Sequence, residues 1–291
     1  MSGNPLLGQR GFLYLARSRR AGGLSLGVNL FPEGKKCNFD CAYCEVVKGD
    51  AGGRFSVQGL AEDLEGFAAS VSSGGLRGET LKDISMAGDG EPTLSPLLGP
   101  AIEVIAAAKT RHPEAFGQSE LVLITNASGL DVPKVAAFLA DAVRVHGLEV
   151  WAKLDAGSEA WFRRIDRSPI AFGAVLSGLE GFAHQTPVTI QSMFCALAEG
   201  PGSEPSPPPE AELDNWVDTL IGILARGARV RGVQLYTQAR PASLGITAPL
   251  DASWMTGFGR RVRSALHRSG HDIAVRVFGS EAELAIGGDA P

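Results

Sequence analysis

The sequence predicts an α/β protein, a partial (β/α)6-type TIM barrel of parallel strands, and three observations carry that expectation. Short apolar runs alternate with amphipathic stretches along most of the chain, polar residues gather where the runs end, and three of the four cysteines lie in one loop after the first run. Strand, helix, strand, repeated about six times, implies parallel strands joined by right-handed crossovers. An open doubly wound sheet shares that alternation. The polar strand ends favour the barrel, because several strands contribute to them and barrel sites lie at the C-terminal rim.

The elements follow in order. The first strand-like run is LSLGVNLF (24–31), and the cysteine loop comes directly after it. LKDISMAG (81–88), ELVLITN (120–126), LEVWAKLDA (148–156), PVTIQSMF (187–194), RVRGVQLYT (229–237) and IAVRVFG (273–279) continue the series. Between them LAEDLEGFAASV (60–71), LLGPAIEVIAAAK (97–109), VPKVAAFLADAV (132–143) and ELDNWVDTLIGILARG (212–227) space their apolar residues by three and four, as helices do. EGPGSEPSPPPE (199–210) reads as a mobile surface loop and 285–291 as a loose tail, since Pro, Ser and Gly runs punctuate structure. No internal repeat is visible, so residues 1–284 read as a single domain.

At 291 residues, 44% hydrophobic and 20% charged, the chain has the profile of a soluble globular protein. No apolar run reaches the length a bilayer requires, so no membrane partner is expected. A net charge of −5 gives no global attraction to nucleic acid. The local clusters Arg17, Arg19, Arg20 and Arg260, Arg261, Arg263, Arg268 read as solvated helix faces or small anion pockets. The first 32 residues carry Arg10, Arg17, Arg19 and Arg20 and no acid, superficially like a transit peptide. The run from Leu24 leads straight to the cysteines, however, so a cytoplasmic protein is expected. Few cysteines also suit a reducing compartment.

Cys37, Cys41 and Cys44 are an odd set, one ligand short of a closed tetrahedral site. In a reducing compartment such thiolates hold zinc or iron–sulfur. A zinc knuckle would need Cys195 or a histidine, yet no second ligand pair follows. His112, His146, His184, His267 and His271 are scattered, and Cys195 sits in a strand pattern, as a small buried apolar residue would. Three thiolates on a cubane would instead leave one iron open to an exogenous ligand.

CNFDCAYC, Cys-x3-Cys-x2-Cys with an aromatic before the last Cys, resembles the cluster loop of the radical S-adenosylmethionine (SAM) superfamily. SRRAGGLSLGVNLFPEGKKCNFDCAYCE (18–45), MAGDGEPTLSP (86–96), LITN (123–126), KLDAG (153–157), IQSMF (190–194) and VQLYTQARPAS (233–243) are similar in order to signatures of one subgroup. That subgroup is the Fe–S oxidoreductases similar to tRNA wyosine-base synthases. The resemblance implies that Cys37, Cys41 and Cys44 hold a [4Fe–4S] cluster whose open iron binds SAM. It implies an external electron donor of flavodoxin or ferredoxin type, and reductive cleavage of SAM to a radical that abstracts hydrogen from substrate.

The same resemblance places Tyr43 against the adenine, where its ring offers stacking area. Gly88, Asp89, Gly90 and Glu91 correspond to a glycine-rich motif at the methionine amino group, and small glycines let backbone approach closely. A tight βα connection explains that turn equally. Lys153 and Asp155 share parity on their strand and face one way. Asp155 would accept ribose hydroxyls, with Asn126 in the same region, while a purely structural Lys153–Asp155 pair is the other reading. Gln191 and Met193, and Gln234, Tyr236 and Gln238, alternate along their strands and would line the adenine or substrate side. Arg240 at the rim calls for an anionic partner. No catalytic side chain stands out, and Arg19, Arg20 and Cys195 receive no role.

The substrate class stays open between a small molecule, a peptide and a tRNA base. The wyosine synthases carry a second cysteine set that this chain lacks, which counts against a wyosine-type product. A non-catalytic zinc-binding module is the remaining alternative, and metal identity separates it from the enzymes.

Overall fold

Buried strands of a parallel sheet read as near-continuous apolar runs, because helices cover both faces, and those runs become the strands of this chain. The computed structural model describes residues 7, 10–46, 53–200 and 202–287. The chain forms two units, one built from Met1–Cys37, Val46–Thr125 and Pro133–Val150, the other from Asn38–Glu45, Asn126–Val132 and Trp151–Pro291.

In the first unit, β1 (Leu13–Ser18) and β2 (Gly23–Val28) form an antiparallel hairpin with Leu13 opposite Val28. β2, β3 (Leu81–Met86) and β4 (Glu120–Thr125) are parallel neighbours in that order. Leu26, Val28, Ile84, Met86, Val122 and Leu123 are completely buried on these strands. The crossovers are α1 (Val57–Ser72) and then α2 (Leu98–Arg111) with the short α3 (Pro113–Phe116). α4 (Pro133–His146) follows β4 in chain order. α1 starts where the Ser56 hydroxyl accepts the Gly59 N–H at 3.1 Å, satisfying a donor the helix itself cannot.

β5 (Glu149–Lys153) contributes its first two residues to the first unit and its last three to the second. The second unit continues with α5 (Glu159–Ile165), α6 (Phe172–Gln185), β6 (Val188–Met193), β7 (Cys195–Leu197) and α7 (Glu210–Ala225). Next come β8 (Val230–Tyr236), β9 (Thr247–Pro249), α8 (Ala252–Arg268), β10 (Ala274–Phe278) and β11 (Glu283–Leu284). β6, β8 and β10 are parallel neighbours, β11 closes antiparallel on β10, and β7 pairs with β9 apart from them. Phe194, Trp216, Trp254 and Phe258 pack their rings edge-on or tilted between β6, α7 and α8 with centroids 4.8–6.0 Å apart.

The parallel alternation expected from the sequence is present. β1, α5, α6 and α8 lie outside the runs quoted above. α6 holds three glycines inside its span, at 173, 178 and 181, which weakens its propensity signal, and packing rather than propensity decides it. The Pro-rich loop does not stand wholly free of the fold. Leu197 and Ser206 exchange backbone hydrogen bonds of 2.9 and 3.2 Å, and Pro208 is buried. Position 201 of that loop and 288–291 of the tail lie outside the described residues. Among the described residues, no helix is long and apolar enough to cross a membrane.

Candidate functional site

The cysteine loop is held by main chain. The Asp40 N–H donates to the Asp166 carbonyl at 3.1 Å and the Ala42 N–H to the Ile165 carbonyl at 2.7 Å, so the end of α5 grips the loop from behind. The Ser168 hydroxyl donates to the Asn38 carbonyl at 3.3 Å, and the Phe39 ring stands edge-on to Phe162. A turn closes where the Cys44 N–H meets the Cys41 carbonyl at 3.0 Å, and the Ser243 N–H reaches the Cys44 carbonyl at 2.8 Å. Arg240 is exposed and pairs with Glu45 at 2.5 Å, so its anionic partner is the loop's own acid.

No disulfide joins any of the four cysteines. Cys37, Cys41 and Cys44 are partly exposed and Cys195 is buried. Cys37 belongs to the first unit, Cys41 and Cys44 to the second. Burial, reinforced by the Asp166 carboxyl, pushes the Cys41 thiol well above the usual thiol range; a bound metal would reverse this, since it requires the thiolate. Among the described residues, no three His, Cys, Asp or Glu side chains converge as ligands for one metal ion.

Behind the loop, Asp155 joins several elements. Its Oδ2 accepts from the Tyr43 hydroxyl at 2.5 Å and pairs with Lys153 at 2.9 Å, while its Oδ1 accepts the Met193 N–H at 2.7 Å. Lys153 also donates to the Tyr236 hydroxyl at 2.6 Å, with its ammonium 4.8 Å from the Tyr43 ring centre and 5.1 Å from that of Tyr236. Burial opposes the charge on Lys153, but Asp155 and Tyr236 outweigh it and hold its pKa well above the ordinary lysine range. A buried cation is tolerable only with such partners. Burial, then Asp155, raises the Tyr43 hydroxyl well above its usual value. The parity expected of Lys153 and Asp155 thus becomes a direct pair, and both Asp155 oxygens already meet protein donors.

Asp155 is positioned by its neighbours in sequence. The Leu154 carbonyl accepts from Trp216 Nε1 at 2.8 Å and from the Ser192 hydroxyl at 2.5 Å. Glu212, at the start of α7, accepts the Gly157 N–H and the Ser158 hydroxyl, each at 2.5 Å. A Cβ on Gly157 would stand 2.1 Å from the Trp216 nitrogen, so α7 packs directly on this turn. Neither Trp216 nor Glu212 was expected at the site.

Asp166 was not expected either. It is 2% exposed, and its Oδ1 lies 3.5 Å from Cys41 Sγ. Burial and then the Asp155 charge raise its pKa well above the usual carboxyl range, as two close carboxyls resist double ionisation. A cavity of about 10 Å³ lies beside Asn126, Lys153, Asp155 and Asp166 and is backed by Phe39 and Phe162, room for roughly one water.

The other expected residues divide. Asn126 is engaged in a clip: its Nδ2 donates to Asn38 Oδ1 at 2.9 Å and its Oδ1 accepts from Ser128, whose hydroxyl accepts from Asn38 Nδ2. Gln191 is fully buried and donates to Gln234 at 2.9 Å, its partner in register across β6 and β8. Tyr236 meets Lys153. Gln238 is 4% exposed, and its carbonyl oxygen has no partner among the described residues.

In the first unit, the GDGEP turn approaches backbone closely, as its glycines suggested, but the backbone is the protein's own. The Lys36 N–H donates to the Asp89 carbonyl and the Glu91 N–H to the Lys36 carbonyl, both at 2.9 Å. A Cβ on Gly90 would lie 2.2 Å from that Lys36 carbonyl. Gly88 has φ +135, and its neighbour Asp89 accepts from Asn29 Nδ2 at 2.8 Å. Glu91 is 2% exposed, and its Oε1 accepts the Thr93 N–H at 3.1 Å and the Thr93 and Thr125 hydroxyls at 2.6 Å.

No family model matches the chain, and no curated protein matches it. Among solved structures, the chain is similar to a radical SAM methyltransferase from Sphaerobacter thermophilus, with 15% identity, a TM-score of 0.55, 91% of this chain covered and 68% of that one. That likeness shows the fold, of the partial (β/α) barrel class expected from the sequence. Weaker likenesses reach OxsB, a cobalamin-dependent S-adenosylmethionine radical enzyme (14% identity, TM-score 0.43, 67% of this chain, 26% of that one), and archaeal TYW1 (11%, 0.42, 83% and 72%).

Proposed function

We propose that this chain is a radical SAM enzyme, in which Cys37, Cys41 and Cys44 hold one [4Fe–4S] cluster and SAM takes the open iron. The observation that carries the reading is the cysteine loop itself. Its thiols form no disulfide and are partly exposed, and its backbone is anchored at Asp40, Ala42 and Cys44. The donor set suits the group: soft thiolates favour iron–sulfur, and a cluster gives each thiolate its own iron, so the three need not converge on one point. The fold, shared with a radical SAM methyltransferase structure, supports the same reading.

When bound, the cluster and SAM would supply reductive cleavage to a 5′-deoxyadenosyl radical that takes hydrogen from an unreactive carbon, with the electron coming from a flavodoxin- or ferredoxin-type donor. The chain's residues orient and shield. Tyr43, fixed by Asp155 at 2.5 Å, presents a ring of set orientation beside the last cysteine. Lys153 supplies a fixed positive charge among Tyr43, Asp155 and Tyr236. Gln191, Gln234, Tyr236 and Gln238 make the neighbouring wall polar, which suits a substrate with hydrogen-bonding groups. Gly88, Asp89, Gly90 and Glu91 shape the backbone just before Cys37.

Anaerobic reconstitution tests this. About four iron and four sulfide per chain are expected for one cubane, together with release of 5′-deoxyadenosine on reduction in the presence of SAM. Stoichiometric zinc without sulfide would overturn the reading.

A further inference from the structure

We propose that Asp166 is a positioning residue for the second cysteine of the loop, holding the Cys41 thiol in place beside the small cavity that Asp155 also lines. What Cys41 ligates rests on the radical SAM reading; the contacts themselves do not.

Asp166 acts on the loop twice. Its carbonyl accepts the Asp40 N–H at 3.1 Å, which fixes the backbone next to Cys41, and its carboxyl reaches the Cys41 sulfur itself. The two residues are 125 positions apart in the chain, so this contact is a product of the fold. The carboxyl also lines the same small cavity as Asp155, whose partners are Tyr43, Lys153 and the Met193 N–H. One side chain therefore touches Cys41 and faces the cavity shared with the residue that binds Tyr43.

Ending α5 does not require this carboxyl, since the backbone N–H of Asp166 already closes the helix on the Phe162 carbonyl at 2.9 Å. A polar group at 2% exposure carries a desolvation cost unless its contacts are used. Groups held behind a metal ligand fix its orientation and tune the metal. Asp166 accepts from the Cys41 thiol, and once that sulfur is a ligating thiolate the carboxyl would act on it electrostatically, one lever on a cluster's reduction potential. Asp166 is placed to do both.

The test compares Asp166→Ala and Asp166→Asn with the parent. In cluster-free protein under reducing, anaerobic conditions, iodoacetamide labelling is followed by peptide mass spectrometry, with Cys44 as internal reference. The Cys41-to-Cys44 rate ratio should rise several-fold in Asp166→Ala and return towards the parent in Asp166→Asn, whose side chain can still reach the sulfur. After reconstitution, both variants should keep iron and sulfide but differ from the parent in midpoint potential and in the spectrum of the reduced cluster. A merely structural residue would move neither. If the Ala variant fails to fold, the isosteric Asn variant decides the matter through its potential. Parent-like labelling ratios and potentials would overturn the proposal. Zinc in place of iron and sulfide would sink the radical SAM reading, while the labelling ratio would still decide Asp166.

Discussion

Glu91 and Asp155 are both buried carboxylates on segments that carry the strongest motifs, yet they are held in different ways. Glu91 takes its donors from Thr93, two residues on, and from Thr125 at the end of β4. Two hydroxyls and a backbone amide donate to it. Asp155 takes a hydroxyl from Tyr43, an ammonium from Lys153 and a backbone amide from β6, and a second carboxyl, Asp166, lines the same small cavity. The first arrangement shapes a turn. The second concentrates charge and phenol groups behind a thiol, which is where chemistry has something to use. A short glycine-rich motif and a lone Lys-x-Asp look equally suggestive in sequence, and the donors around each acid tell them apart.

Removing Asp155 should separate the two most sharply. Asp155→Ala leaves Lys153 buried without its counter-charge, and breaking a buried pair costs about 3–5 kcal/mol. Urea unfolding should show that loss, with SAM binding weakened in whatever protein stays folded. A change under about 1 kcal/mol would mean that the pair is effectively solvated, and the contrast with Glu91 would collapse.

Glu91→Ala should cost less, about 1–3 kcal/mol for stranding buried hydroxyl and amide donors. The cluster content of reconstituted protein should be retained. SAM affinity falling further than in Asp155→Ala would reverse the roles assigned here.

Asp83 offers a third kind of buried acid, 1% exposed with Oδ1 unpartnered among the described residues. Burial raises its pKa, against a hydrogen bond from Ser25 and the charge of Arg20. Folding therefore favours its protonated form. Its contribution is most favourable below the ordinary aspartate range, near pH 4, and declines as pH rises through that range to the raised folded value. Thermal melts across this window should show Asp83→Asn flattening the decline. An unchanged slope would show that another group titrates there.

The smallest effect belongs to Arg240, 67% exposed in its pair with Glu45. Arg240→Ala should shift stability by no more than about 1 kcal/mol, and a larger loss in a melt would show that the loop depends on it.

The sequence made the parallel strands legible because their apolar runs have no other use, and it made the cysteine loop legible because three thiols in eight positions are rare. Alternation put Lys153 and Asp155 on one face of their strand, where they pair, but the Gln191–Gln234 bond across β6 and β8 was not foreseen. Other parts left little trace. Asp166 sits in EAWFRRIDRS, an ordinary amphipathic stretch, and only the fold brings it to Cys41. Asn126 looked like a ligand contact and is bound to Asn38, a pairing no local pattern encodes. Trp216 reads as core from its spacing, and its indole N–H acquires a role only where it meets the Leu154 carbonyl.

The grip of α5 on the cysteine loop has a consequence for how the protein can change. It is made by amides and carbonyls at Asp40, Ala42, Ile165 and Asp166, groups that nearly every residue type possesses. Position 40 can drift through most side chains without loosening the loop; proline alone, lacking the N–H, would unfasten it. Position 42, fully buried as alanine, tolerates only small residues. The loop's shape is thus largely silent to substitution, and Asp40→Pro is the mutation to which it is least able to adapt.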